Sequence, residues 1–216
     1  MDNYCRICFK KINDYSLYNL FNKRNILCEE CFDKFKAKFY KFSLDGINGL
    51  AIYDYDENMK NLIYKFKGCY DYELKDVFLT RYLPYLRFMY HRYVVVPAPS
   101  YYLDDEKRGF NHVVEIFKTL KLKMLPIISK TKPHKQSEHS SKGRLDITNV
   151  LSIDKNVNLK DKNILLVDDI ITTGSTLFSC VELLKKLHPN KIEILVIAKT
   201  KKKQKNQYWL FCISKN

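Results

Sequence analysis

The chain has only 6 glycines in 216 residues, and none is followed by the Lys-Ser or Lys-Thr pair that completes a triphosphate-binding loop. That argues against the common class of nucleotide triphosphatase. Long apolar runs are missing too: "YVVVPAP" and "NILLV" fall far short of the roughly 18 to 20 residues that a membrane span requires. The first residues, "MDNYCRICFKK", contain no apolar signal core, so a cytoplasmic protein without membrane insertion is expected. Acidic residues are few beside basic ones, 24 against 38, which leaves a formal charge of +14. Such an excess draws polyanions, whether phosphate-rich ligands or nucleic acid, although a solvated lysine surface accounts for the same count. No internal repeat is visible, and no Ser-His-Asp or Cys-His arrangement suggests a covalent nucleophile.

What is present suffices for a folded core. With 46% apolar residues the chain can build one α/β domain with a small module attached. Four of its seven cysteines form two tight pairs, Cys5-Arg-Ile-Cys8 and Cys28-Glu-Glu-Cys31, separated by 19 residues. Each C-x-x-C pair makes a knuckle whose thiolates point at one centre, and two knuckles complete the tetrahedron that zinc prefers. Four protein ligands leave no open position for water, so the expected zinc is structural. Reduced buried thiols and a single redox pair are the competing readings, and neither explains two pairs of identical spacing. Cys180, on a predicted helix, reads as packing. Behind the second pair, Phe32, Phe35, Phe39 and Phe42 recur at helical spacing with lysines opposite. That predicts a linking helix packed on the next domain, with stacking on nucleic-acid bases as the alternative. The expected division is a zinc-finger module and linking helix over 1–42, then a second domain over 43–216.

The second part alternates strands and helices. Strands are expected from near Ile47 and in "RYVVVPAP", "MLPIIS", "NILLVDD" and "KIEILVIAKT". Helices are expected in "ENMKNLIYKFKG", from about Asp71 to Tyr90, in "GFNHVVEIFKTLKL" and in "STLFSCVELLKKLH". This pattern predicts a mostly parallel sheet flanked by helices on both faces. Between the second and third strands of this sheet, "KTKPHKQSEHSSKGRLDITNV" is polar, basic and aperiodic, and a mobile loop over about 131–147 is expected there. The late lysine run, "KTKKKQKNQ", reads as a solvated turn before a last apolar piece.

The stretch "LLVDDIITTGST", residues 165–176, carries the chemistry. Three apolar residues of a parallel strand deliver Asp168 and Asp169 to its carboxyl edge, where ligands of open α/β sheets bind. Thr172, Thr173, Gly174, Ser175 and Thr176 then supply hydroxyls, backbone N–H groups and a permissive glycine at a helix start, a cradle for one phosphate. Carboxylates repel phosphate, so the two aspartates must face another part of the same ligand, and vicinal sugar hydroxyls fit. A phosphate near a diol is a ribose 5-phosphate. An apolar-Asp-Asp ending also suits a Walker B strand, which the missing triphosphate loop disfavours.

The twelve residues resemble the signature of type I phosphoribosyltransferases. Further blocks resemble the ComF family: "VVVPAPSYYLDDEKRGFNHVVEI" is similar to its V-P-x-P…R-G-F-N-Q block, with His112 where Gln is common. "KPHKQSEHSSKGRLDITNVL" is similar to its Q-S…R…N block, with His139 and Leu151 in place of the usual Leu and Phe, and "YKFKGCYDYELKDVF" to its Tyr-Lys-x-Lys-Gly segment. The resemblance implies a type I phosphoribosyltransferase fold behind a zinc finger and a Mg²⁺-dependent site for phosphoribosyl pyrophosphate (PRPP). It also implies a role in natural transformation, taking up single-stranded DNA beside a helicase-like partner. Carried over, Asp168 and Asp169 would take the ribose diol as the catalytic pair. Thr172, Thr173, Gly174, Ser175 and Thr176 would line the 5-phosphate, and Ile170 would belong to the same PRPP site. Ser100 would meet the pyrophosphate, Lys135, Gln136 and Arg144 would close over it from the mobile loop, and Arg108 would be a further anion ligand. A hood over about 47–76 would select the acceptor, whose identity is not legible. Two readings stay open: phosphoribosyl transfer to an unknown acceptor, and a non-catalytic PRPP-binding module that engages DNA or protein.

Overall fold

The computed structural model describes residues 4–12, 26–130 and 151–201. Strands β1 (Tyr40–Leu44), β2 (Ile47–Asp54), β3 (Tyr93–Pro97), β6 (Asn163–Ile171) and β7 (Lys191–Lys199) form one sheet in the order β1-β2-β7-β6-β3. Only β1 runs antiparallel, and β2, β7, β6 and β3 pair in parallel. The short strands β4 (Ile128–Lys130) and β5 (Leu151–Ile153) pair with each other as a separate ribbon.

Period-2 alternation decides which residues face which layer. Leu165 and Val167 of β6, Leu195 and Ile197 of β7, and Ile52 of β2 enter one core with Met59, Leu62, Ile63 and Phe66 of helix α2 (Glu57–Lys67). Val113, Ile116 and Phe117 of helix α5 (His112–Lys118) and Leu86 and Tyr90 of helix α3 (Leu83–Tyr90) join the same layer. The intervening residues Ile164, Leu166, Ile194 and Val196 enter the second core with Leu177, Cys180, Val181 and Leu184 of helix α6 (Ser175–Lys185). Each of these fully buried side chains contributes roughly 1.5–3 kcal/mol relative to exposure, so two covered faces explain strands that read as unbroken apolar runs. Cys180 is buried among them as packing.

Three local expectations are corrected. The aromatic spacing from Phe32 to Phe42 does not make one helix: helix α1 (Glu29–Asp33) stops early, and Phe42 lies in β1, antiparallel to β2. Phe39 has φ of 51°, which ends helical continuity, and its ring meets Tyr82 edge-on at 5.1 Å. The helix from Asp71 to Tyr90 is broken into 3₁₀ turns at Tyr72–Asp76 and Thr80–Tyr82 before α3, which carries Pro84 in its first turn. "MLPIIS" touches the main sheet only through a bridge between Met124 and Val95, then peels off into the ribbon. The segment after "VVVPAP" also holds helix α4 (Tyr102–Arg108), ended by Gly109 at φ 80°. The expected mobile loop lies outside the described residues.

Candidate functional site

Strand β3 ends level with Val167, and the next backbone bond runs from the Ala98 N–H to the Val167 carbonyl at 2.8 Å. Strand β6 continues beyond that point against β7 to Ile171. Asp168 and Asp169 therefore stand on a step where one neighbouring strand has turned away, the crevice in which open α/β sheets hold ligands.

Adjacent residues of a strand face opposite layers, which separates the two acids. Asp169 belongs to the face covered by α2 and α5, and its Oδ2 accepts from Lys67 Nζ, the last residue of α2, and pairs with His112 Nε2, the first of α5, both at 3.1 Å. Its Oδ1 accepts the Ile170 N–H at 2.8 Å. Asp168 is half-buried, and the one hydrogen bond its carboxylate accepts among the described residues comes from the Asp169 N–H at 2.8 Å.

These surroundings drive the pair apart. Burial and the neighbouring Asp169 charge push Asp168 well above the usual carboxylate range. Burial would raise Asp169 as well, but the hydrogen bonds and charges of His112 and Lys67 outweigh it and hold that carboxyl far below the range. The result is one fixed carboxylate and one whose charge is uncompensated by a direct cationic partner.

Beyond β6 the chain turns through Thr172 and Thr173, both exposed, and enters α6 at Gly174, whose φ of 80° is left-handed. A Cβ there would meet Leu44 Cδ1 at 3.1 Å, so glycine answers both the dihedral and the space. Gly174 has no side chain to cap α6; instead Thr173 Oγ1 accepts the Ser175 N–H at 3.4 Å, and the Thr173 and Ser175 hydroxyls lie 3.1 Å apart. Hydroxyls, first-turn N–H groups and the helix dipole meet here, with Thr176 in the same turn.

Ser100 and Arg108 serve a second network. Asn111 Nδ2 donates to Ser100 Oγ and to Asp105 Oδ2, each at 2.8 Å, and the Ser100 hydroxyl donates to the same Asp105 oxygen. Asn111 also caps α5 by accepting the Val114 N–H at 2.9 Å. The Arg108 guanidinium is buried, bonded to Asp105 Oδ1 at 2.9 Å, to the Lys67 carbonyl at 3.0 Å and to His112 Nδ1 at 3.2 Å. It ties the loop after β3 to the end of α2. Lys135, Gln136 and Arg144 lie outside the described residues.

Three groups at this edge have no counterpart among the residues expected from sequence. Lys67 sits in the quoted Tyr-Lys-x-Lys-Gly segment, and that segment was its only signal. His112 is marked in the sequence only as a departure from the Gln of the resembling block. Lys130 ends β4 where its backbone bridges to Tyr101; burial lowers its pKa against the nearby charges of Asp104 and Asp168. Nothing local in the sequence marks Lys130.

At the other end of the chain, the sulfurs of Cys5, Cys8, Cys28 and Cys31 all lie within 4.8 Å of one another, with Cys8 and Cys28 at 3.6 Å. Four thiolates around one centre about 2.3 Å away would have this spacing, so the donor set fits a closed tetrahedral metal site. The first knuckle is fastened to the main domain: Arg6 Nη1 donates to Asp76 Oδ2 at 2.8 Å and to the Glu73 carbonyl at 2.7 Å. The Arg81 guanidinium lies 3.6 Å from the Phe32 ring centre.

A family model described as the phosphoribosyl transferase domain matches residues 106–216, just over half of the chain. The chain belongs to this phosphoribosyltransferase family. The ComF resemblance is supported by the Competence protein ComFC of Streptococcus pneumoniae (strain ATCC BAA-255 / R6), 30% identical over 142 residues, 65% of this chain and 63% of that protein. The chain thus spans a little under two thirds of that relative's length. A shorter stretch of 54 residues is 43% identical to the ribose-phosphate pyrophosphokinase of Pyrococcus furiosus, 25% of this chain and 19% of that protein. Among solved structures, a hypoxanthine phosphoribosyltransferase from Staphylococcus aureus overlays 58% of this chain and 62% of its own at a TM-score of 0.38 and 19% identity, a likeness too loose to carry a functional conclusion. The phosphoribosyltransferase match takes in the acid pair, the hydroxyl turn and α6, whereas the cysteine cluster lies outside it. Among the described residues no helix is long and apolar enough to cross a membrane.

Proposed function

We propose that the sheet edge binds PRPP with Mg²⁺ and that the chemistry it serves is transfer of the phosphoribosyl group to an acceptor, in a protein of the DNA-uptake machinery of natural transformation. One observation carries this reading: a pair of acids at the step in the sheet stands directly before a hydroxyl-lined helix start entered through a left-handed glycine. The relatives support the same reading, since the names of two of them concern competence and ribose phosphate.

In this reading the sugar hydroxyls donate to Asp168, whose second oxygen accepts no hydrogen bond from the described residues, and to the remaining lone pair of Asp169. The 5-phosphate takes the N–H groups and hydroxyls of Thr172 through Thr176. The carboxylate and hydroxyl oxygens at this edge suit a hard cation, and bound Mg²⁺ would carry the charge of the departing pyrophosphate. Ser100 and its neighbours flank that leaving group, and Arg108 holds their loop in place. The protein's contribution is positioning and fixed charge, without a covalent nucleophile. The four cysteines hold a structural zinc, and the +14 chain offers single-stranded DNA and a helicase-like partner a basic surface.

Calorimetric titration with PRPP, ribose 5-phosphate and pyrophosphate tests the ligand. PRPP binding at least about tenfold tighter than either fragment supports a site that reads sugar, phosphate and leaving group together. Equal affinity for pyrophosphate alone would leave only an anion site.

A further inference from the structure

His112 is among the few polar side chains buried in the described core, and both its ring nitrogens have partners. One partner is Arg108 Nη1 at 3.2 Å from Nδ1, and the other is Asp169 Oδ2 at 3.1 Å from Nε2. A guanidinium can only donate and an ionised carboxylate can only accept. Nδ1 must therefore be the acceptor and Nε2 must carry the proton, which assigns the tautomer from the partners alone. A second proton on Nδ1 would point at the Arg108 N–H. It would also place a cation at the N-terminus of α5 and close to Lys67, which shares Asp169 Oδ2. Burial lowers the ring's pKa, and the Lys67 and Arg108 charges act in the same direction, against the opposing pull of Asp169.

We propose that His112 is the positioning residue of the ribose site: as a neutral Nε2–H imidazole it relays Arg108 to Asp169, fixing the direction and the charge of the carboxylate that meets the sugar. This rests on the reading of the sheet edge as a ribose-phosphate site. The relay needs one donor and one acceptor on a neutral side chain of this length, and a glutamine amide supplies both. No proton moves during the relay, and His112 does not touch the ligand.

Two experiments on the full chain test it. Nitrogen NMR of the imidazole in wild-type protein between about pH 6 and 8 should show one protonated nitrogen, Nε2, throughout. A doubly protonated ring at pH 7, or a proton on Nδ1, would overturn the relay whether or not any variant folds. Calorimetry with Mg²⁺-PRPP should then show His112→Gln within about threefold of wild type, and His112→Leu weaker by about tenfold or more, the loss expected for one charged hydrogen bond. Wild-type affinity in a folded His112→Leu protein, or loss in His112→Gln equal to that in His112→Leu, would refute the positioning role. Absence of PRPP binding in the wild type would instead sink the ribose reading and this role with it, while leaving the ring's NMR signature intact.

Discussion

The cysteine cluster and the sheet edge each gather several polar groups at one point, by opposite means. Two knuckles separated by 19 residues bring four sulfurs together through local turns, and any occupant would be the metal that holds the turns. The sheet edge joins Lys67, Arg108, His112 and Asp169 from separate elements, held by two packed cores and by hydrogen bonds spanning up to 102 residues of chain. On the zinc reading, the first assembly is expected to need its ligand to hold together. The second is built beforehand, and part of its polar content is held at a cost in stability.

The sharpest way to break this comparison is Cys28→Ser. Metal content measured by mass spectrometry is expected to fall from one ion per chain to none, and the N-terminal module to unfold, while the main sheet keeps its far-ultraviolet dichroism. A folded, protease-resistant module without metal would contradict a ligand-dependent assembly.

Within the sheet edge, the two acids should respond oppositely to loss of charge. Asp169 has a depressed folded pKa, so its contribution to stability is present above its unfolded value of about 3.9 and is lost as pH falls through the folded value. Asp168 has a raised folded pKa, so its charge opposes folding at neutral pH, and the opposition lifts as pH falls through that value. Asp169→Asn is expected to lower the melting temperature at pH 7 and Asp168→Asn to raise it, each by about 1–2 kcal/mol of stability. Shifts of the same sign in the two variants would show that their environments do not differ as described.

A smaller effect tests how the two regions are joined. Arg6→Ala removes the bonds from the first knuckle to Glu73 and Asp76 and should cost about 1 kcal/mol, read as earlier melting of the N-terminal module with the metal still bound. The smallest concerns the surface. Lys185→Ala removes exposed pairs with Asp45 and Glu182 and should leave the melting temperature unchanged within error.

Legibility followed the same division. Cysteine spacing, apolar strands buried on two faces, and the acid pair followed by hydroxyls and glycine are local patterns, and the corresponding elements stand where the periodicity predicts them. The aromatic run misled because Phe32, Phe35, Phe39 and Phe42 fit a helical repeat, whereas pairing with β2 and a left-handed Phe39 decided the outcome. Strand β4 leaves the main sheet for a reason no local pattern encodes, its pairing with β5, 20 residues further along the chain. Lys67 and His112 could not be placed at the acids from spacing, since their meeting depends on α2 and α5 covering the same face of β6. The family resemblance pointed to both segments without saying what they touch.

The most direct test of the central claim is a calorimetric titration of PRPP into the full chain, in Mg²⁺ and in chelator, beside the Asp168→Asn, Asp169→Asn double variant. Binding that requires both Mg²⁺ and the two carboxylates, with the variant still folded, is the predicted result. PRPP binding of equal strength in chelator and in the double variant would contradict a ribose site at this edge.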